Sequence, residues 1–294
     1  MYPLRPRLGT SRLQRVALIL LLVGVSVTSN GSANADSGST IVDKANANLA
    51  AAGLGVRVGS VELFTLGRGR PGTRDLQNPY RPVPYDSRRN ADGARITYLV
   101  RQNLGATSNG LTNAQTEPAI DAAVATWASD SCLANAPIVK RSDPGIDTDI
   151  FDELVGVGDT AAPDFGNLYR ANEIEAGFRP RALFDVFYPG AGDEILGITI
   201  SFYYLTDINQ DGYLDVAWSE TYYNDRFVWS TGGELPTIDI QTVALHENGH
   251  ALGLGHFGPP PIAVMNNSYS GVFLTPRESD HAGMCAVWGA WPTR

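Results

Sequence analysis

His246-Glu247-Asn248-Gly249-His250-Ala251-Leu252-Gly253-Leu254-Gly255-His256 is the stretch whose reading decides the fold. It contains three of the four histidines in a chain of 294 residues. On a helix, His246 and His250 stand four residues apart and project from one face, one turn above the other. Two neutral imidazoles so placed can grip one zinc ion, and Glu247 beside them can serve as general base toward water. Gly253 can break the helix and turn the chain, so that His256 brings a third ligand from outside it. The fourth position is then open to water, as catalytic zinc requires. An amphipathic helix with incidental polar residues would have to explain why the histidines cluster at ligand spacing.

Several elements can be placed outward from this motif. Pro236, Thr237 and an acid, Asp239, mark the start of the helix carrying His246. Earlier, Ile195 to Tyr204 and Leu214 to Tyr223 are β-prone runs able to pair as a hairpin. The first is expected to be an edge strand on which an extended peptide could lie. Ala182 to Phe187 is expected as a further strand, and Ile96 to Val100 as another. Thr116-Glu117-Pro118 opens a helix whose Ile120, Ala123, Val124 and Trp127 form an apolar stripe for a sheet. Arg277 to Trp288 reads as a terminal helix, and His281 near its start as a surface or capping residue.

Between the two β-prone runs, Asp207, Asn209, Asp211, the Tyr213 carbonyl and Asp215 resemble a calcium loop of the EF-hand type. Gly212 supplies the turn, but Trp218 stands where such a loop carries glutamate. An Asx- and Gly-rich hairpin turn would favour the same residues.

The N-terminus reads as a signal peptide over 1–35. Arg5, Arg7, Arg12 and Arg15 precede a short apolar run, Val16 to Val27, and a small-residue site at Ala33-Asn34-Ala35. The apolar run is short for a membrane span, and a retained signal anchor is the alternative. Cleavage would remove four arginines and no acids, taking the net charge from −9 to −13. A secreted acidic protein, expected as a monomer without stable membrane insertion, is a poor partner for nucleic acid. In that compartment Cys132 and Cys285 can form a disulfide, two buried thiols being the alternative. Residues 36–94 read as a propeptide or N-terminal extension, with a linker from Gly67 to Asn90, and residues 95–294 as the main domain.

With these residues in place, the chain resembles the metzincins, and among them the matrixins. The zinc motif, Ala263-Val264-Met265 nine residues after it, Ser268-Tyr269, the closing Gly-Met-Cys-Ala-Val-Trp-Gly and the run Asp239 to Leu245 carry the resemblance. It covers roughly 95–294, most strongly the last sixty residues. It implies an α+β, zincin-like fold with a mixed twisted sheet, an active-site helix, a methionine turn at Met265 and a C-terminal helix. It also implies a zinc endopeptidase acting on protein or peptide, with Tyr269 lining the substrate pocket unless it is a packed core residue. Three departures stand out: Phe257 replaces the usual serine, Asn267 the usual proline, and neither cysteine lies in a latency motif. The competing function is a non-catalytic, calcium-stabilised surface or binding protein that retains the fold.

Overall fold

The computed structural model describes residues 35–67, 80–82, 95–102, 107–157, 163, 165–167, 171–207, 214–234 and 236–290. The signal segment 1–34 and, of the calcium-loop residues, Asn209, Asp211 and Tyr213 lie outside them. The elements run α1 (Ala35–Ala51), β1 (Val56–Leu66), β2 (Tyr80–Pro82), β3 (Ile96–Val100), α2 (Asn113–Ala128), β4 (Ile138–Lys140) and α3 (Phe151–Val155). They continue with β5 (Glu173–Arg179), α4 (Arg181–Phe184), β6 (Ile195–Tyr204), β7 (Leu214–Asn224), β8 (Trp229–Ser230) and β9 (Ile238–Asp239). The chain closes with α5 (Ile240–Ala251), β10 (Ser268–Tyr269) and α6 (Glu278–Trp288). The fold is α+β.

One mixed sheet runs β10-β1-β6-β7-β5-β3-β4, with β2 added beside β7. Strands β4, β3, β5 and β7 run parallel, whereas β6 is antiparallel to both its neighbours, β7 and β1. Strand side chains alternate between faces, so the sheet serves two cores. Ile96, Tyr98 and Val100 of β3 pack with α2, α5 and α6, while Leu99 packs on the opposite face with residues of α1, α3 and α4. Strands β3, β5 and β6 are buried throughout, as strands covered on both faces must be.

Several sequence expectations are corrected here. Ala182 to Phe187 does not form a strand. The strand is β5, which stops at Pro180, and α4 begins directly after that proline, whose ring cannot donate to a ladder. The active-site helix does not begin at Pro236. Ile238 and Asp239 pair with β8, and Asp239 caps α5 instead. The helix expected from Thr116 starts a turn earlier, where the Thr112 N–H donates to Gln115 Oε1 at 3.0 Å. Finally β6 is not an edge strand among the described residues, because β1 pairs along its length.

Candidate metal centre

Helix α5 is fixed at both ends by its own sequence. The Asp239 carboxylate accepts the Thr242 N–H and hydroxyl, each at 2.7 Å, satisfying donors that a helix start leaves open. At the other end Gly253 adopts φ +93°, a left-handed conformation that glycine takes without strain. The chain therefore leaves the helix one residue after Leu252 and swings His256 back over it.

This turn brings three imidazoles together. The Nε2 atoms of His246 and His250 are 3.0 Å apart, and each lies 3.2 Å from Nε2 of His256. The opposite ring nitrogens are engaged outward: His246 Nδ1 lies 2.7 Å from the Val264 carbonyl and His250 Nδ1 2.8 Å from that of Leu254. Carbonyls only accept, so those Nδ1 atoms carry the protons and the Nε2 lone pairs point inward. Burial, together with repulsion from His256, holds His246 and His250 well below the usual imidazole range, and burial lowers His256 to about 4. With His256 in the same tautomer, three inward lone pairs on neutral rings make the donor set of a cation. Imidazole nitrogens at this mutual spacing would hold a zinc ion, which takes such ligands at about 2.0–2.1 Å. The residues fit the metal.

Glu247 is fully buried next to this triangle. Its Oε2 accepts the Thr199 hydroxyl at 2.7 Å, whereas Oε1 has no hydrogen-bond partner among the described residues. Burial raises its pKa well above the ordinary value; the Thr199 hydrogen bond opposes this, and the charges of Glu175 and Glu62 add to it. A cation nearby would favour the carboxylate form. Gly197 on β6 makes room: a Cβ there would lie 2.6 Å from Glu247 Oε1.

Met265 is fully buried against α5 at Gly249, where a Cβ would come within 2.4 Å of the methionine sulfur. Asp280 at the start of α6 fixes this turn by accepting the N–H groups of Val264 at 2.9 Å, Met265 at 3.1 Å and Arg277 at 2.7 Å. Trp127 of α2 donates its indole N–H to the Leu245 carbonyl at 2.8 Å, anchoring α5 from the other side. Tyr269 is half-buried, and its hydroxyl accepts the Asp239 N–H at 3.3 Å.

Two residues of β1 also reach the centre. Phe64 stacks on His246 with ring centroids 3.8 Å apart and an interplanar angle of 14°. Glu62 places Oε2 3.5 Å from His256 Nδ1, and burial pushes its carboxyl up to about 7.

The remaining sequence candidates lie apart from the centre. Cys132 and Cys285 form a disulfide with Cα atoms 4.9 Å apart, tying the segment after α2 to α6. Asp130 and His281 converge on the same spot, their side chains 2.8 Å apart, but the two sulfurs are bonded to each other. Asp215 is buried and Asp207 partly exposed at the two ends of the 207–215 stretch.

Sequence reasoning did not single out Gly197, Thr199, Asp280, Glu62 or Phe64 as site residues. Gly197 carried a signal, being an isolated glycine in a strand run, which marks close approach. Asp280 sits in the first turn of a helix, where an acid is unremarkable, and nothing local distinguishes Glu62.

The family of matrixin peptidases (Peptidase M10, Matrixin) matches residues 212–289. That span holds α5, all three histidines, the Met265 turn and all of α6, and over it the chain is similar to the matrixins. No curated protein matches the chain at a significant level.

Proposed function

We propose that this protein is a zinc-dependent endopeptidase that hydrolyses peptide bonds with Glu247 as general base. The observation that carries this reading is the triangle of Nε2 atoms 3.0–3.2 Å apart beside a buried glutamate with one oxygen unpartnered among the described residues. His246, His250 and His256 would hold the metal. When bound there, zinc supplies Lewis acidity, drawing the pKa of a water from about 16 toward about 7 and polarising a carbonyl. The chain's own groups do the rest. Glu247 Oε1 takes a proton from the attacking water and passes it to the leaving amine. Thr199 holds Oε2, so the carboxylate keeps one orientation between the two transfers. Met265, Leu245 and Val264 close the floor with apolar surface, excluding bulk water from below.

The non-catalytic alternative has no need of Glu247, yet the chain gives that carboxylate a fitted place against Gly197. Secretion and calcium rest on sequence alone: the arginine-led apolar N-terminus for the first, and the oxygen donors from Asp207 to Asp215 for the second. Among the described residues no helix is long and apolar enough to cross a membrane.

The test is casein digestion by purified, zinc-loaded protein after limited proteolysis of its N-terminal segment, before and after chelation, compared with Glu247→Ala treated in the same way. Wild type should cut only with metal, and the variant should lose at least about 10³-fold in rate, within the range of general-base contributions. Equal cleavage by both proteins would remove the reading.

A further inference from the structure

Strand β1 lies where an extended peptide would have to lie to reach the three histidines. It runs antiparallel to β6, from Val56 opposite Tyr204 to Thr65 opposite Ile195. Its end runs parallel to β10, Thr65 opposite Ser268 and Leu66 opposite Tyr269. The Thr65 N–H donates to the Asn267 carbonyl at 3.3 Å and the Leu66 N–H to the Glu194 carbonyl at 2.7 Å. A strand edge pairs with one partner at a time, so while β1 is there no other peptide can use β6.

The side chains set the frame. Residues 62 and 64 project from the same face of β1, and both meet the histidines from outside: Glu62 at His256 and Phe64 at His246. The Phe64 ring is nearly fully buried, 6.2 Å from the ring of Tyr269. Phe64 is in register with Gly197, the residue against which the Glu247 carboxylate rests. The backbone between the two histidine contacts is that of Leu63, so in this frame the Leu63–Phe64 peptide bond would be the one presented to Glu247.

We propose that β1 is a substrate-like plug built into the chain, filling the peptide cleft along β6 until it is displaced. The inference rests on the peptidase reading and deepens it. The cleft takes an extended peptide with a large aromatic residue directly after the bond to be cut, Phe64 marking the pocket between His246 and Tyr269. The fit of β1 is close elsewhere too: Gly59 lies where any Cβ would meet the Tyr203 ring at 1.8 Å.

The experiment uses full-length, metal-free protein and a fluorescent peptide with the sequence of residues 56–66. Wild type is compared with Glu62→Ala/Phe64→Ala and with Glu62→Lys/Phe64→Lys, folding being checked by cooperative melting. Peptide binding is followed by anisotropy, and exposure of β6 by amide hydrogen exchange across Ile195 to Tyr204. The variants should bind the peptide at least tenfold more tightly than wild type and exchange the β6 amides at least tenfold faster. Folded variants with unchanged exchange and no gain in binding would overturn the proposal. In zinc-loaded variants the bound peptide should be cut between its Leu and Phe, and a cut at another bond would also overturn it. Improved binding without any cleavage would leave the plug standing and remove the peptidase reading instead.

Discussion

Two regions converge on one centre by opposite routes. The segment from Asp239 to His256 builds its geometry locally: a cap, three turns of helix, a glycine in the left-handed region and a returning histidine. Strand β1 arrives at the same centre from nearly two hundred residues earlier in the chain, and its position is set by pairing with β6 and β10 and by packing against α1. The first is governed by a period of 3.6 residues and can be judged within one stretch. The second is governed by which strand edge is free, a property of the assembled sheet. Ligand chemistry is thus local here, while occupancy of the cleft is global.

Three substitutions probe that contrast, beginning with the largest effect. Asp280 serves the local half from a distance, holding the N–H groups beneath the histidines. Asp280→Ala leaves two buried donors and one partly buried donor without an acceptor, at about 1–3 kcal/mol for each buried one before relaxation and water entry. We expect a net loss of about 3–5 kcal/mol in denaturant unfolding. A loss below about 1 kcal/mol would mean the Met265 turn holds itself.

Gly197→Ala acts where the two regions meet. The new methyl group would displace the Glu247 carboxylate, and misplacement by about 1 Å can cost about 10²-fold in rate. We expect kcat on a peptide substrate to fall by about that factor with little change in melting temperature. An unchanged kcat would show that Glu247 does not need this clearance.

The smallest effect is one of pH. Glu175 lies under α5, accepting the Asn248 amide at 2.8 Å and the Tyr223 hydroxyl at 2.5 Å. Burial, against the pull of those hydrogen bonds, raises its carboxyl from 4.5 to about 7. The folded state therefore binds the proton more tightly than the unfolded state. Its contribution is fully present below about pH 4.5 and is lost as pH rises through about 7. Wild type should lose stability across that window relative to Glu175→Gln, and parallel stability curves would contradict this.

The contrast also explains what could be read in advance. Helix geometry places His246, Glu247 and His250, Gly253 offers the turn that returns His256, the terminal helix shows in its own run, and Met265 was legible through the resemblance. Strands β3, β6 and β7 were legible from their β-branched and aromatic runs. The start of α5 was not, because Asp239 can be a first-turn acid or a cap, and only its bonds to Thr242 decide between the two. Nor was the role of residues 56–66. In the sequence they fall inside an N-terminal extension, and β6 looked free because nothing local to Ile195–Tyr204 encodes what pairs with it.

The central claim is that three inward Nε2 atoms hold one zinc ion, and equilibrium dialysis with metal analysis tests it most directly. Full-length wild type, freed of metal and dialysed against zinc, should retain one ion per chain. His246→Ala/His250→Ala, shown to be folded, should retain none. Zinc held equally by both proteins, or by neither, would contradict the account.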